Sequence, residues 1–513
     1  MKRILVLMLA GAMLLSSVVV AQADGIRLRA SGTFEFAYGI FNNGQFANSH
    51  NWSTGTAATT VRPGTAGQKR VKSDNFFARQ RIRPQFQFIS SENLQGVLQF
   101  EIGTVDWGMN APAGDTTNAT AHKSNGGAMG ARAINMGTRL AYMDWIIPST
   151  KASVRMGIQM MNLPATRALN PIMNSAEIAG ITVNTPITDQ VGLTAFWIRP
   201  FDVARNNIRV ADTADFFGLV LPVRFQGGRI SPYAMYGRVG AGSGWTQGMV
   251  PGGADLGLAA APTVNNKYAN VWYVGANLNL TVLDPLTFGM DMAYGRLSKI
   301  DYSNKNDADR EFGTQGWYVA ATLDYKMNWG TPGIFGWYAS GDKHSKLDNG
   351  KGGRMPSQLT NGGWGYTSMG AARGYPLFHT NGTNGSQNTG TGIGSGMGTW
   401  GIGAQIANIT FVKDLTHTVR VAYYMGTNKS DVVRDGNRAP RGKQDPMYLT
   451  TKDSIFEVNF DSTYKIYENL SAIVELGYLN LRASKNTWVT NPNPETKKND
   501  NAFKAGLGFL YSF

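Results

Sequence analysis

Arg79, Arg81 and Arg83 stand two residues apart in the run FFARQRIRPQFQF. In an extended strand that spacing puts three guanidinium groups on one face, about 7 Å apart. Ala78, Gln80, Ile82, Pro84, Phe86 and Phe88 take the other face. Nothing else on the arginine face pairs with all three. Adjacent like charges repel, so a pathway for anions gives a reason to keep them. An arginine facing lipid at mid-bilayer costs about 2–4 kcal/mol, which directs such a ladder toward a wet interior. Arg139, Arg155, Arg224 and Arg420 occupy inward phases of other runs, and Arg27 and Arg29 do so in RLRASGTFEF. Glu35, Glu101, Asp291, Asp324, Glu457 and Asp461 supply the opposing charge. The competing expectation is that these charges merely solvate an interior and pair across neighbouring strands.

Other chemistries have little to stand on. His50, His122, His344, His379 and His417 fall mostly between strand-like runs, without a Ser-His-Asp order or the spacing of a metal site. There is no cysteine, hence no disulfide framework and no thiolate ligand. The run Gly392-Ile393-Gly394-Ser395-Gly396-Met397-Gly398 lacks the strand, helix and acidic partner of a phosphate-binding loop. The stretch Asp301 to Glu311 has oxygen ligands but not the spacing of a calcium-binding EF-hand loop. No metal, no cofactor and no catalytic residue is expected, and the chain is not expected to be an enzyme.

The elements that must carry the arginines read as strands. Ile26, Leu28, Ala30, Gly32, Phe34, Phe36 and Tyr38 alternate with Arg27, Arg29, Ser31, Thr33 and Glu35, so one register slip would place arginines in hydrocarbon. Similar runs recur to the end of the chain and predict eighteen strands. The weakest are Glu177 to Pro186 and Gly333 to Gly341, so sixteen remains open. Short turns such as Ser90 to Asn93 and Lys413 to Leu415 alternate with long polar loops such as Phe41 to Asp74, Trp107 to Asn135 and Asp342 to Gly398. That alternation predicts an all-β, closed antiparallel transmembrane barrel with short periplasmic turns and long external loops.

The two ends point the same way. Lys2 and Arg3 precede the apolar run Ile4 to Leu15, and Ala21-Gln22-Ala23 supplies small residues for cleavage, so residues 1–23 read as a signal peptide and 24–513 as one barrel domain. The final run NAFKAGLGFLYSF places Phe509, Tyr511 and Phe513 on one face, an expected signal to the barrel assembly machinery. Sixty-two glycines and a mean hydropathy of −0.23 suit turns and alternating strands, not membrane helices. The formal charge is +14, or +12 without Lys2 and Arg3, but it is spread along strand faces without a basic tail or a nucleic-acid-binding motif. Nucleic acid is therefore not an expected partner.

The segments around Arg79 and around Arg139 (TRLAYMDW) resemble strand pieces that carry constriction arginines in general diffusion porins. The framework, with its DGIRLRASGTFEFAYG opening and Tyr-Ser-Phe ending, is similar to the homotrimeric outer-membrane porin family of sulfate-reducing bacteria. The resemblance implies a bacterial outer-membrane location, a homotrimer and a basic eyelet wall holding Arg79 and Arg139. It also implies that Asn162 to Ala176 folds into the pore. That segment departs from the family pattern in being poor in acid, with Arg167 within it and Glu177 at its edge. The expected function is passive diffusion of small hydrophilic solutes with a preference for anions such as sulfate, phosphate, chloride or organic acids. Expected pore-lining residues are Arg79, Arg81, Arg83, Arg139, Arg155, Arg167, Glu35 and Glu101, with Arg27, Arg29, Arg224 and Arg420 as further lumen charges. A substrate-specific channel is the alternative. A membrane-embedded hydrolase is a weaker one, since no Ser and His pair stands out.

Overall fold

The computed structural model describes residues 25–42, 75–107, 136–166, 170–173, 176–202, 213–240, 243, 268–301, 311–343, 351–356, 398–430, 449–484 and 499–513. Residues 1–23, Arg167 and most of the long loops lie outside that set.

Alternating sequence becomes strand throughout. The first hairpins are β1 (Arg27–Asn42), β2 (Asn75–Ser91), β3 (Leu94–Asp106), β4 (Met136–Ile146), β5 (Ser153–Met161) and β6 (Ala176–Pro186). The wall continues through β7 (Gly192–Asp202), β8 (Thr213–Val220), β9 (Val223–Phe225), β10 (Gly228–Gly240), β11 (Tyr268–Leu280), β12 (Leu286–Asp301) and β13 (Glu311–Tyr325). It closes through β14 (Thr331–Ala339), β16 (Thr399–Val412), β17 (Leu415–Gly426), β18 (Ser454–Tyr467), β19 (Leu470–Arg482) and β20 (Asn499–Ser512), while β15 (Lys351–Gly352) is a two-residue strand lying parallel to β13. Each wall strand pairs antiparallel with its neighbours and β20 pairs with β1, leaving no open edge. β8 and β9 are one strand interrupted at Leu221-Pro222, where proline has no N–H to give the ladder. Counted that way, and with β15 set aside, the barrel has 18 strands. The two weakest sequence assignments, now β6 and β14, are both ordinary wall strands.

Periodicity of two sorts the faces. Outward positions on β11, Trp272, Val274 and Tyr268, are exposed, while Val271 and Tyr273 between them are buried inside. The outer surface carries aromatic residues toward both strand ends and aliphatic ones between. Trp400, Tyr423, Phe456 and Tyr478 lie toward one rim, Trp145, Tyr325, Trp329 and Tyr464 toward the other, and Ile334, Val421 and Leu476 between. An apolar band between two aromatic girdles is the outer surface of a barrel that spans a bilayer. Strands of 9 to 17 residues in the wall's continuous members are long enough for a tilted span, which needs about 9–11.

On the inner face, aromatic rings face glycines. Phe196 lies directly opposite Gly218, Phe216 opposite Gly237, Tyr233 opposite Gly275 and Tyr273 opposite Gly295. Trp337 and Phe335 on β14 face Gly401 and Gly403 on β16 in the same way. A Cβ on Gly218 would sit 2.1 Å from the Phe196 ring, and one on Gly237 2.2 Å from that of Phe216. The rings lie flat over neighbouring backbone, covering what would otherwise be bare polar chain.

Candidate functional site

The arginine ladder sits on β2, one strand from the closure of the barrel. Its register against β1 places Arg81 directly opposite Glu35. Arg81 donates from Nε to Glu35 Oε2 at 3.1 Å and from Nη2 to the same oxygen. Arg83 donates to Glu101 of β3 from Nε at 2.8 Å and is paired with it through Nη2 at 2.7 Å. Arg79 stacks its guanidinium over the Phe77 ring at 5.4 Å. All three point inward, as their spacing predicts. Two of them are matched by carboxylates from the neighbouring strands, so the ladder is an alternation of charge more than a stack of like charge.

The pairing extends to the strands that follow. Arg139 is the residue skipped in the β3–β4 register, between Thr138, which faces Phe100, and Leu140, which faces Gln99. This bulge turns its side chain inward, where Nη1 donates to Gln99 Oε1 at 2.5 Å and Nε lies 2.5 Å from Glu177 Oε1. Arg155 binds Asp144 through two parallel bonds of 2.6 and 2.8 Å, and its guanidinium lies 4.1 Å over the Tyr142 ring. Arg139 and Arg155 are thus brought onto the same wall as the ladder.

Across the closure, Arg420 on β17 donates to Asp461 of β18 at 2.6 Å, and Asp461 lies directly opposite Glu475 of β19. Glu475 in turn pairs with Lys504 of β20, both fully buried. Glu457 accepts from Tyr424 Oη at 2.9 Å and from Asn459 Nδ2 at 3.1 Å. The Glu475 and Lys504 pair was not singled out by type and spacing, because its two members lie 29 residues apart and meet only through register. Asp324 accepts from Gln405 Nε2 at 3.1 Å.

Arg27 and Arg29 lie inward on β1 near the rim that carries the short turns, opposite Ile89 and Gln87, and both are exposed. Arg224 is at the same rim on the far wall, away from the ladder, directly opposite Arg229. Arg167 lies outside the described residues.

The segment after β5 does fold inward. Thr166 N donates to both oxygens of Asp291 at 3.0 Å, and its hydroxyl meets Asp291 Oδ1 at 3.3 Å, across 125 residues of sequence. Asn277 Nδ2 reaches Thr166 Oγ1 at 2.8 Å and Asp291 Oδ1 at 2.6 Å. Gly289 makes the room, since a Cβ there would lie 2.1 Å from Thr166 Cγ2. Farther along, Asn170 donates to Tyr233 Oη at 3.2 Å, and Ile172 and Met173 are fully buried among the interior rings of β10 to β13. Met355 packs there too, against Gly295. The wall from β7 to β14 is therefore dry in its half away from the short turns. On β2 to β5 the inward Arg83, Gln85, Gln99, Glu101 and Arg155 keep partial exposure, while Phe77, Arg81, Leu140, Gln159 and Met161 are buried. These partly exposed charged groups lie on one wall, with the infolded segment bound to the other. Inward aromatics are numerous on β7 to β14, where Tyr233 accepts from Asn170 and Tyr273 belongs to the same buried cluster as Met355.

One pair escaped the sequence reading. His417 and Ser462 are directly opposite on β17 and β18, and His417 Nδ1 lies 2.5 Å from Ser462 Oγ on the outer face. The His417 ring also stacks on Phe460. Among the described residues no side chain is hydrogen-bonded to the other ring nitrogen. Among the described residues no carboxylate stands behind this imidazole as the third member of a catalytic triad would.

No family model matches the chain, and no curated protein matches it. Among solved structures it is similar to Pseudomonas aeruginosa OpdQ, at 12% identity over 95% of this chain and 97% of that one, with a TM-score of 0.46. A BenF-like porin from Pseudomonas fluorescens Pf-5 matches at 10% identity over 95% and 98%, with a TM-score of 0.47. The outer membrane channel DcaP of Acinetobacter baumannii matches at 11% identity over 96% and 99%, with a TM-score of 0.40. Likenesses of this degree carry no argument about what passes through this chain.

Proposed function

We propose that the chain is a bacterial outer-membrane porin, a water-filled barrel for passive diffusion of small hydrophilic solutes, with a preference for anions. The observation that carries this reading is the two-sided wall. An apolar, aromatic-girdled outer face surrounds an inner face of charged groups wetted along β2 to β5 and narrowed by a loop hydrogen-bonded to the opposite side. Lipid outside and water inside is the condition under which such a surface is stable. A signal peptide at 1–23, a homotrimer, and recognition of Phe509, Tyr511 and Phe513 by the assembly machinery belong to the same proposal.

Unit conductance and reversal potential of the pure protein in a planar bilayer test it. Stable ohmic steps with reversal on the chloride side are expected; absence of conductance from correctly inserted protein overturns the channel, and reversal on the potassium side overturns the preference. Replacing Arg79, Arg81 and Arg83 by Gln leaves Glu35 and Glu101 unopposed and shifts reversal toward the cation side.

A substrate-specific channel is the second reading. The dense packing of Leu163, Ile172, Met173 and Met355 inside the barrel favours it, because it narrows the path beyond what an 18-strand wall imposes. Liposome swelling with sugars of graded size separates the two: a smooth decline with size supports general diffusion, a sharp exception supports a dedicated solute.

A further inference from the structure

Resting on the channel reading, the geometry points to a second charged station, which we propose sets the sign of ion selection: the inward arginines of the rim with the short turns, above all Arg224 and Arg229. Deeper in the barrel, Arg81, Arg83, Arg139, Arg420 and Lys504 each rest against a carboxylate, as does Arg155 nearer the short turns. A close ion pair is a dipole, and its field falls off much faster than that of a single charge. The rim differs. Arg224 of β9 and Arg229 of β10 are direct cross-strand partners, a juxtaposition of like charge that destabilises a sheet unless something offsets it. Both are exposed, and among the described residues neither has an ion pair or a side-chain hydrogen bond. Asp189, in the adjoining turn, is not paired with either.

The backbone beneath them is fixed. Arg224 N donates to Gln190 O at 2.8 Å, Gly192 N to Pro222 O at 3.0 Å, and Thr281 N to Gly227 O at 2.8 Å. Gly227, at a φ of 75°, turns β9 into β10 within two residues. The register of β8 against β10 runs unchanged through the break at Leu221-Pro222 into β9, so Arg224 meets Arg229. Both lie on the inward face, since Arg229 shares its side of β10 with the buried Ser231 and Tyr233. Two guanidinium forks held at one point of a water-filled mouth suit an anion bearing two or three charges, a di- or tricarboxylate, phosphate or sulfate. On the opposite wall Arg27 and Arg29 add positive charge at the same rim. The mouth then attracts anions while the paired centre stays close to neutral, and the two ends of the pore are electrically unlike.

The test uses the full-length protein in planar bilayers with Arg224→Gln/Arg229→Gln, read at about 0.01 M and about 1 M salt, where screening lengths are about 30 and 3 Å. In dilute salt the chloride-to-potassium permeability ratio should fall at least about twofold and the difference in current between the two voltage polarities should shrink. Conductance in concentrated salt should not change, because the width of the pore is untouched. The Arg224→Lys/Arg229→Lys variant should keep both wild-type properties. Wild-type protein supplies an independent reading: citrate should reduce current from one side of the membrane only. An unchanged ratio and polarity difference in the glutamine variant, or equal citrate block from both sides, overturns the inference while leaving the channel standing. A wild-type protein that does not conduct overturns the channel itself.

Discussion

Asp291→Ala should loosen the loop without unfolding the barrel. Asp291 is 1% exposed and receives Thr166 N, Thr166 Oγ and Asn277 Nδ2. Hydrogen bonds to a charged group are worth about 1.5–3 kcal/mol each, but they share one acceptor and are not additive. Two of the three come from Thr166, so the stretch around it stands to lose about 2–4 kcal/mol of attachment. At about 1.4 kcal/mol per factor of ten, that lowers the ratio of docked to undocked arm by about 30-fold to 1,000-fold. Farther along, Ile172 and Met173 stay buried, each contributing about 1.5–3 kcal/mol, so the rest of the segment keeps its place. The expected record is a noisier open channel with a modestly larger mean conductance and faster liposome swelling by larger sugars. Asp291→Asn keeps one acceptor and should fall between alanine and wild type. Asp291→Ala with wild-type noise, conductance and size dependence would refute the reasoning and make the latch irrelevant to the path.

Three other outcomes follow from the same geometry. Lys504→Met strands the fully buried Glu475 carboxylate, a loss of about 3–5 kcal/mol, so the folded barrel should convert to its slower gel form at a clearly lower temperature. Combining it with Glu475→Leu should recover most of that temperature, and failure to recover would mean the pair is not what holds this region. Val274→Arg, at an outward mid-strand position 52% exposed, should cost about 2–4 kcal/mol and reduce the inserted fraction, whereas normal insertion would put that face against water. Gly289→Val drives a side chain into Thr166 and should reproduce the noisy channel of Asp291→Ala; a quiet channel would separate the loop's position from that contact.

Much of the barrel was legible because a period of two is a local property. Strand one shows its inward arginines and outward aromatics without reference to any other strand, and the same reading located β6 and β14 despite their weak patterns. Partnership was not legible, because it depends on register. Arg81 meets Glu35 across 46 residues, and Glu475 meets Lys504 across 29. Arg139 reaches the inward side expected of it for a reason alternation does not carry: counted by twos from Tyr142 and Asp144 it falls outward, and the bulge brings it to Gln99 and Glu177. The loop's destination was expected by resemblance, but its fastening at Asp291 and Asn277 was not, since those residues read only as interior polar groups. His417 and Ser462 escaped for the same reason, lying opposite each other by register alone.

The rings set against glycines bear on how the wall is put together. Phe196, Phe216, Tyr233 and Tyr273 each meet a glycine on the strand that joins next, so each newly added strand must offer a vacancy at one height. A two-residue slip preserves which side chains face inward and outward, and hydrophobic patterning alone would tolerate it. It would also bring Tyr233 against Tyr273 or Asn277 in place of Gly275, and even at the native position an added Cβ would lie only 2.4 Å from the ring. The correct alignment of β7 through β12 is therefore checked strand by strand as each one arrives, without waiting for β20 to find β1. A folding intermediate with this arc zipped and the seam still open would already have its final stagger.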